Sequence, residues 1–154
     1  MKIRKANKKD LNILTDFWYE EEKLHKKFDR HAILRKDAKK RIYNFLKSNI
    51  QKNNHAAFIA EYNNKEVGVL LGQIKKGYFV NNIDLIGHYS TIFVKDDYRR
   101  KGVAKALFNA MTEWFKSKNI KFVDLYVHSK NKIALKAWKS SGFEEVLKLM
   151  RKKI

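Results

Sequence analysis

A chain of 154 residues is the size of one domain and can bury a substantial core. Lys and Arg number 35 against 16 Asp and Glu, a formal net charge of +19, so the chain carries a field that attracts phosphates, nucleic acid or anionic lipid. It has no cysteine and no apolar run of about 18 residues, which excludes disulfides, thiolate metal sites and an apolar membrane-spanning helix and fits a cytoplasmic protein.

Lys2 to Lys5 reads as a short first strand, without the apolar stretch of a secretory leader. Asn7 and Asp10 form a capping-box pattern, which predicts a helix with Leu11, Leu14, Phe17 and Trp18 inward, ending between Glu22 and Lys27. A second helix, Lys36 to Asn49, places Ala38, Ile42, Phe45 and Leu46 on one face. Ala56 to Tyr62 and Glu66 to Lys76 read as strands joined through Asn63-Asn64-Lys65, because Asn tolerates positive φ in a tight turn. Leu85 to Val94 is the next strand.

Tyr98-Arg99-Arg100-Lys101-Gly102-Val103-Ala104-Lys105 follows that strand and opens a strongly periodic helix. A basic loop with one glycine before a helix start is a construction for holding phosphate: the first amides have no partners within the helix and the macrodipole adds positive potential. Gly102 has no Cβ to block close approach, and Ala104 keeps the next turn thin. Val103, Ala106, Leu107, Ala110, Met111, Trp114 and Phe115 then form a core-facing stripe. Lys121 to His128 reads as a strand with Val123, Leu125 and Val127 on one face. Asn131 to Ser140 reads as a helix ended by Gly142, and Phe143 to Arg151 as a final strand region. No repeat, linker or composition break divides the chain. The order βααβββαβαβ predicts a single mixed α+β domain over residues 1–154, built on one twisted sheet.

Arg99-Arg100-Lys101-Gly102-Val103-Ala104 resembles the acetyl-CoA-binding signature of the GNAT acetyltransferase superfamily: Gln or Arg, two residues, Gly, one residue, then Gly or Ala. The family usually precedes it with Val-x-Pro-x-aromatic; this chain has Val94 to Tyr98, with Asp96 in place of the proline. A second family pattern is matched by Asn131-Lys132-Ile133-Ala134, Trp138 and Gly142-Phe143. The resemblance covers essentially the whole chain. It implies an N-acetyltransferase that uses acetyl-CoA as co-substrate, without metal, and moves the acetyl group to a primary amine by direct attack in a ternary complex. A homodimer is common in the family, and the acceptor is a small-molecule or protein amine. The family's last two strands would be very short here, or merged.

Carried over residue by residue, the resemblance places the pantetheine arm along Ile92, Phe93 and Val94, with Ile92 and Val94 offering backbone groups. The pyrophosphate falls to Arg99, Arg100, Lys101, Gly102, Val103, Ala104 and Lys105. Asn131 holds the arm from the far side, alongside a plain helix-capping role. Trp138 stands where many members carry a tyrosine as general acid. Indole has no usable acidic proton, so Trp138 is read as packing against the arm or core. Tyr126 and His88 stand where different members carry a glutamate base. Imidazole, with an ordinary pKa near 6.5, makes His88 the preferred base, and Tyr126 a donor of a proton or hydrogen bond.

The acceptor pocket is expected near Trp18, Tyr19, Glu20, Glu21, Glu22 and His25. The three carboxylates could attract a cationic amine; the alternative, which the charge pattern favours, is a solvated helix face paired with Lys23, Lys26 and Lys27. Two further readings compete. One is a GNAT-fold protein that binds CoA without catalysis, suggested by the missing tyrosine. The other is a basic nucleic-acid-binding module, suggested by the charge and by Tyr78 and Phe79. Against the second, the lysines are spread along the chain and no helix-turn-helix, zinc or RNP signature is present.

Overall fold

Two neighbouring strands, β2 (His55–Tyr62) and β3 (Lys65–Lys76), are buried on both faces and form the centre of the molecule. Small residues, Ala56, Ala57, Ala60, Gly68 and Gly72, alternate there with Ile59, Val67, Val69, Leu70 and Leu71, which lets helices sit close on either side. The computed structural model describes residues 1–77, 80 and 82–154. Tyr78 and Phe79 lie outside the described residues.

The sheet has five strands in the order β1-β2-β3-β4-β5, completed by β1 (Lys2–Lys5), β4 (Leu85–Val94) and β5 (Val123–Leu125). All neighbours are antiparallel except β4 and β5, which are parallel. The β2–β3 turn is the predicted one: Asn63 and Asn64 take φ of 49° and 58°, the twist that matches the flanking strands. The predicted capping box is also present. The Asn7 side chain accepts from Lys9 N–H, Asp10 accepts from Asn7 N–H, and Arg4 forks onto both Asp10 oxygens at 2.8 and 2.9 Å.

Helices α1 (Leu11–His25) and α2 (Ala38–Asn49) cover one face, where Leu14, Phe17, Ile42 and Leu46 meet Ile59, Val69 and Leu71. Helix α3 (Val103–Ser117) covers the other, where Leu107, Met111 and Phe115 meet Leu70 and Tyr89. Gly87 makes that contact close: a Cβ there would fall 2.7 Å from the Phe115 ring. Helix α4 (Lys132–Ser140) leans on α3 through Trp138 and Phe108, and Gly142 ends it with φ of 88°. No helix among the described residues is long and apolar enough to cross a membrane.

The mixed α+β class stands, with three local corrections. Helix α2 starts at Ala38 and not Lys36. The strand expected over Lys121 to His128 keeps only Val123–Leu125, because β5 pairs with Gly87, His88 and Tyr89 alone before the strands part. The final strand expected over Phe143 to Arg151 is not formed. Val146, Leu147, Leu149 and Met150 are 67–90% exposed, so this apolar run pairs with nothing among the described residues.

Candidate active site

From the end of β4 the chain passes a 3-10 turn at Asp96–Tyr98 and reaches α3 through left-handed backbone at Arg100, φ 58°, and Gly102, φ 79°. A Cβ built at Gly102 would meet no atom within 4 Å, so the space over the first turn of α3 is open to a ligand. The first bond of α3 runs from Ala106 N–H to Gly102 C=O, which leaves the amides of Val103, Ala104 and Lys105 without an acceptor in the helix. A cavity of about 380 Å³ lies over this turn, lined by Val94, Tyr98, Arg99, Arg100, Gly102, Val103, Ala104 and Lys105. Arg99 is tied to its own loop: Nε donates to the Val94 carbonyl at 3.0 Å, and the guanidinium pairs with Asp96 at 2.7 Å. It braces the loop. Lys101 lies over the Tyr98 ring, 5.5 Å from its centroid, and is not part of the cavity wall.

Upstream, β4 carries a bulge. Tyr89 faces Gly72 and Thr91 faces Leu71, so Ser90 is the extra residue with no partner on β3. On the other side β5 stops pairing at Tyr89. The two irregularities coincide, and β4 opens along one edge from Ser90 to Val94. Ile92 and Phe93 point away from this edge, Ile92 into the α3-side core and Phe93 onto the Phe17 ring at 5.6 Å. What they present to the opening is backbone.

His88 sits at the base of the opening, 6% exposed. Its cross-strand partner is Asp124, with Nδ1 2.5 Å from Oδ1, and Lys75 Nζ lies 3.1 Å from the other Asp124 oxygen. Burial pushes the Asp124 carboxyl up, but hydrogen bonds from His88 and Lys75 and their charges outweigh it and hold its pKa below the ordinary value. An ionised carboxylate only accepts, so the proton on neutral His88 belongs on Nδ1 and Nε2 keeps its lone pair. The Tyr126 ring lies 4.8 Å from the His88 ring, 78% exposed, with Lys75 Nζ 5.2 Å from its centroid. The structure brings His88 and Tyr126, both named from the sequence, together with Asp124 and Lys75, which the sequence did not point to. The available signal for Asp124 was its place two residues before Tyr126, on the same side of an extended run. Lys75 comes from another strand, and only the register brings it in.

On the α1–α2 side of His88 and Ser90 lies a cavity of about 490 Å³. Its walls are mostly apolar, including Trp18, Ile42, Phe45, Leu46, Ile50, Ala57 and Leu71, with Arg41, Asn49, His55 and Gln73 among them. Phe45, on the α2 face shared with Ile42 and Leu46, is a wall residue: it is 44% exposed and meets Trp18 edge-on at 5.4 Å.

The acidic end of α1 is only partly the lysine-paired face expected. Glu20 pairs with Lys23 at 2.7 Å, but Glu21 and Glu22 pair with His25, at 2.7 and 3.4 Å, and Lys26 and Lys27 hold none of these carboxylates among the described residues. Trp18 Nε1 also donates to Glu22 at 2.9 Å, while Tyr19 lies beneath Lys23 and Lys39. Hydrogen bonds to Glu21 and Glu22 raise the His25 pKa to about 10, and His25 in turn lowers that of Glu22. A raised folded-state pKa stabilises fully below the unfolded value near 6.5, and the gain is lost as pH climbs toward 10. The melting temperature of His25→Ala is therefore expected to lie below wild type at pH 6 and to converge on it by pH 10. A pH-independent gap in paired melting curves would contradict the assignment.

Asn131 caps α4, its Oδ1 accepting from Ala134 N–H at 3.1 Å. Trp138 is partly buried between Phe108 and Phe143, each at 5.6 Å, on the α3 side. Trp138→Phe is expected to keep turnover within about tenfold of wild type, since the ring packs and does not donate a proton. Trp138→Ala should destabilise by less than the ~3–5 kcal/mol typical of a fully buried aromatic, read by chemical denaturation. A hundredfold loss of turnover in a stable Trp138→Phe would show that the indole N–H itself works.

A family model described as Acetyltransferase (GNAT) family matches residues 12–143. The chain is 28% identical over 145 residues to an uncharacterised N-acetyltransferase of Methanocaldococcus jannaschii, covering 93% of this chain and 60% of that protein. It is 31% identical over 111 residues to an N-alpha-acetyltransferase of Sulfurisphaera tokodaii, covering 68% and 65%. It thus spans 60–65% of the length of these curated relatives. Among solved structures, a tetramutant of the BH1408 protein of Bacillus halodurans is similar with TM-score 0.84 at 16% identity over the whole of both chains. The aminoglycoside N-acetyltransferase AAC(6')-Iy, in complex with a CoA-containing bisubstrate analogue, is similar with TM-score 0.73 at 24% identity over 99% of this chain and 97% of that one. At these identities the structural likeness speaks to the fold.

Proposed function

The chain belongs to the GNAT acetyltransferase family, and from that premise we propose that it moves an acetyl group from acetyl-CoA to a primary amine by direct attack in a ternary complex. The observation that carries this reading is His88: an imidazole fixed by Asp124 with Nε2 left basic, at the point where β4 opens between a phosphate-shaped turn and an apolar cavity. A merely structural histidine needs no such position.

The residues fit the co-substrate. Gly102 leaves a cradle that a side chain would enter, and the amides of Val103, Ala104 and Lys105 face it with Arg100 and Lys105 as charge. About 13 Å of extended strand separates Ser90 from Val94, an open edge for the pantetheine arm beside the backbone of Ile92 and Val94. Asn131 caps α4 with one side-chain oxygen, and its amide nitrogen is left for the arm. Acetyl-CoA supplies an activated acyl group as a thioester.

His88 Nε2 accepts the proton of the attacking amine as the C–N bond forms, and Asp124 stabilises the resulting imidazolium. The backbone that the Ser90 bulge frees from the β3 ladder would donate to the carbonyl oxygen as negative charge gathers on it. The C–S bond then breaks, and the departing thiolate takes a proton from Tyr126 or from water. The chain has no cysteine to carry the acetyl group itself, in keeping with direct transfer. Acetyl-CoA should raise the melting temperature saturably, and thiol release should require both acetyl-CoA and an amine. Stabilisation by acetyl-CoA with no thiol release from any amine would leave a CoA-binding protein without catalysis.

A further inference from the structure

The walls of the 490 Å³ cavity beside His88 say what kind of amine fits. Building on the acetyl-transfer reading, we infer that the acceptor is a primary amine on an apolar substituent about the size of a ring or a leucine side chain, with no second positive charge.

Trp18, Ile42, Phe45, Leu46 and Leu71 line the cavity together with His88. An apolar substituent displaces water from such walls, whereas a second ammonium group loses its hydration there and finds no anion in return. Among the described residues, none of those lining the cavity is acidic. The carboxylates that touch them from behind are already matched by cations: Asp124 on His88 is shared with Lys75, Glu22 on Trp18 with His25, and Asp37 is paired with Arg41. Burial, and the nearby charge of Lys52, lower the pKa of His55 on the same wall, so it is neutral at neutral pH and supplies no charge for an anionic acceptor. The wider field, at net +19, repels polycations before they arrive. The chemistry that remains, one amine beside one apolar group, is shared by a free aralkylamine and by a peptide with an apolar first residue.

The test is kcat/KM for thiol release at saturating acetyl-CoA with four acceptors: 2-phenylethylamine, a short peptide with an N-terminal leucine, spermidine and kanamycin. One of the first two should exceed both polycations by tenfold or more, and whichever leads names the source. Phe45→Glu places a carboxylate on the wall at a position exposed enough to keep the fold, which a melting curve checks. It should shrink that ratio by at least tenfold. Equal or better use of spermidine or kanamycin by the wild-type protein overturns this inference and leaves acetyl transfer standing, as does a ratio unmoved in folded Phe45→Glu. No thiol release with any amine overturns acetyl transfer, and this inference with it.

Discussion

His88→Ala lowers kcat/KM for acetyl transfer by ~10²-fold or more, the lower end of what a general base contributes. The Kd for acetyl-CoA stays close to wild type, because the phosphate turn lies at the far end of the open β4 edge. The comparison uses one amine throughout. Asp124→Asn separates positioning from folding: without the carboxylate, Nδ1–H loses its charged acceptor and the imidazolium its partner. That variant should lose kcat with little change in KM. Near-normal activity in folded His88→Ala would make His88 structural and pass the proton to Tyr126 or water.

Gly102→Glu weakens acetyl-CoA binding by ~10²-fold or more, about 2.7 kcal/mol. The side chain enters the cradle at the start of α3 and sets a negative charge against the pyrophosphate. Like charges about 4 Å apart near a surface repel by about 4 kcal/mol, enough for that loss after some screening. The fold should survive, because the new Cβ meets no atom, although φ of 79° is strained for any residue with a side chain. Gly102→Asn controls for that strain, since Asn tolerates left-handed backbone. It should cost much less affinity. Isothermal titration of both variants decides; unchanged affinity in folded Gly102→Glu would remove the phosphate turn from the site.

The elements legible in the sequence are those whose own side chains specify them. The stripe from Val103 to Phe115 fixes α3, the Asn63-Asn64 pair fixes the hairpin, and Gly102 marks the left-handed turn into α3, because each signal is local. The end of the chain was misread for the opposite reason. Val146, Leu147, Leu149 and Met150 have strand-like composition, but a strand needs a partner edge, which composition does not supply. Likewise β5 is short because β4 bulges at Ser90, a fact about pairing. In the site, His88 and Tyr126 were reachable through the family pattern. Asp124 and Lys75 were not, because their role exists only once β3, β4 and β5 lie side by side. Helical spacing puts Phe45 on one face with Ala38, Ile42 and Leu46, but it cannot tell a buried face from the wall of a cavity.

The most direct measurement is a single-turnover experiment with acetyl-CoA labelled in its acetyl group, excess protein and 2-phenylethylamine or the leucine peptide, followed by mass spectrometry of amine and protein. The expected result is label on the amine, formed only when both substrates are present, with no acetylated protein when the amine is omitted. Label held on the protein before transfer, or label remaining in acetyl-CoA while the amine stays unmodified, would contradict direct acetyl transfer at His88.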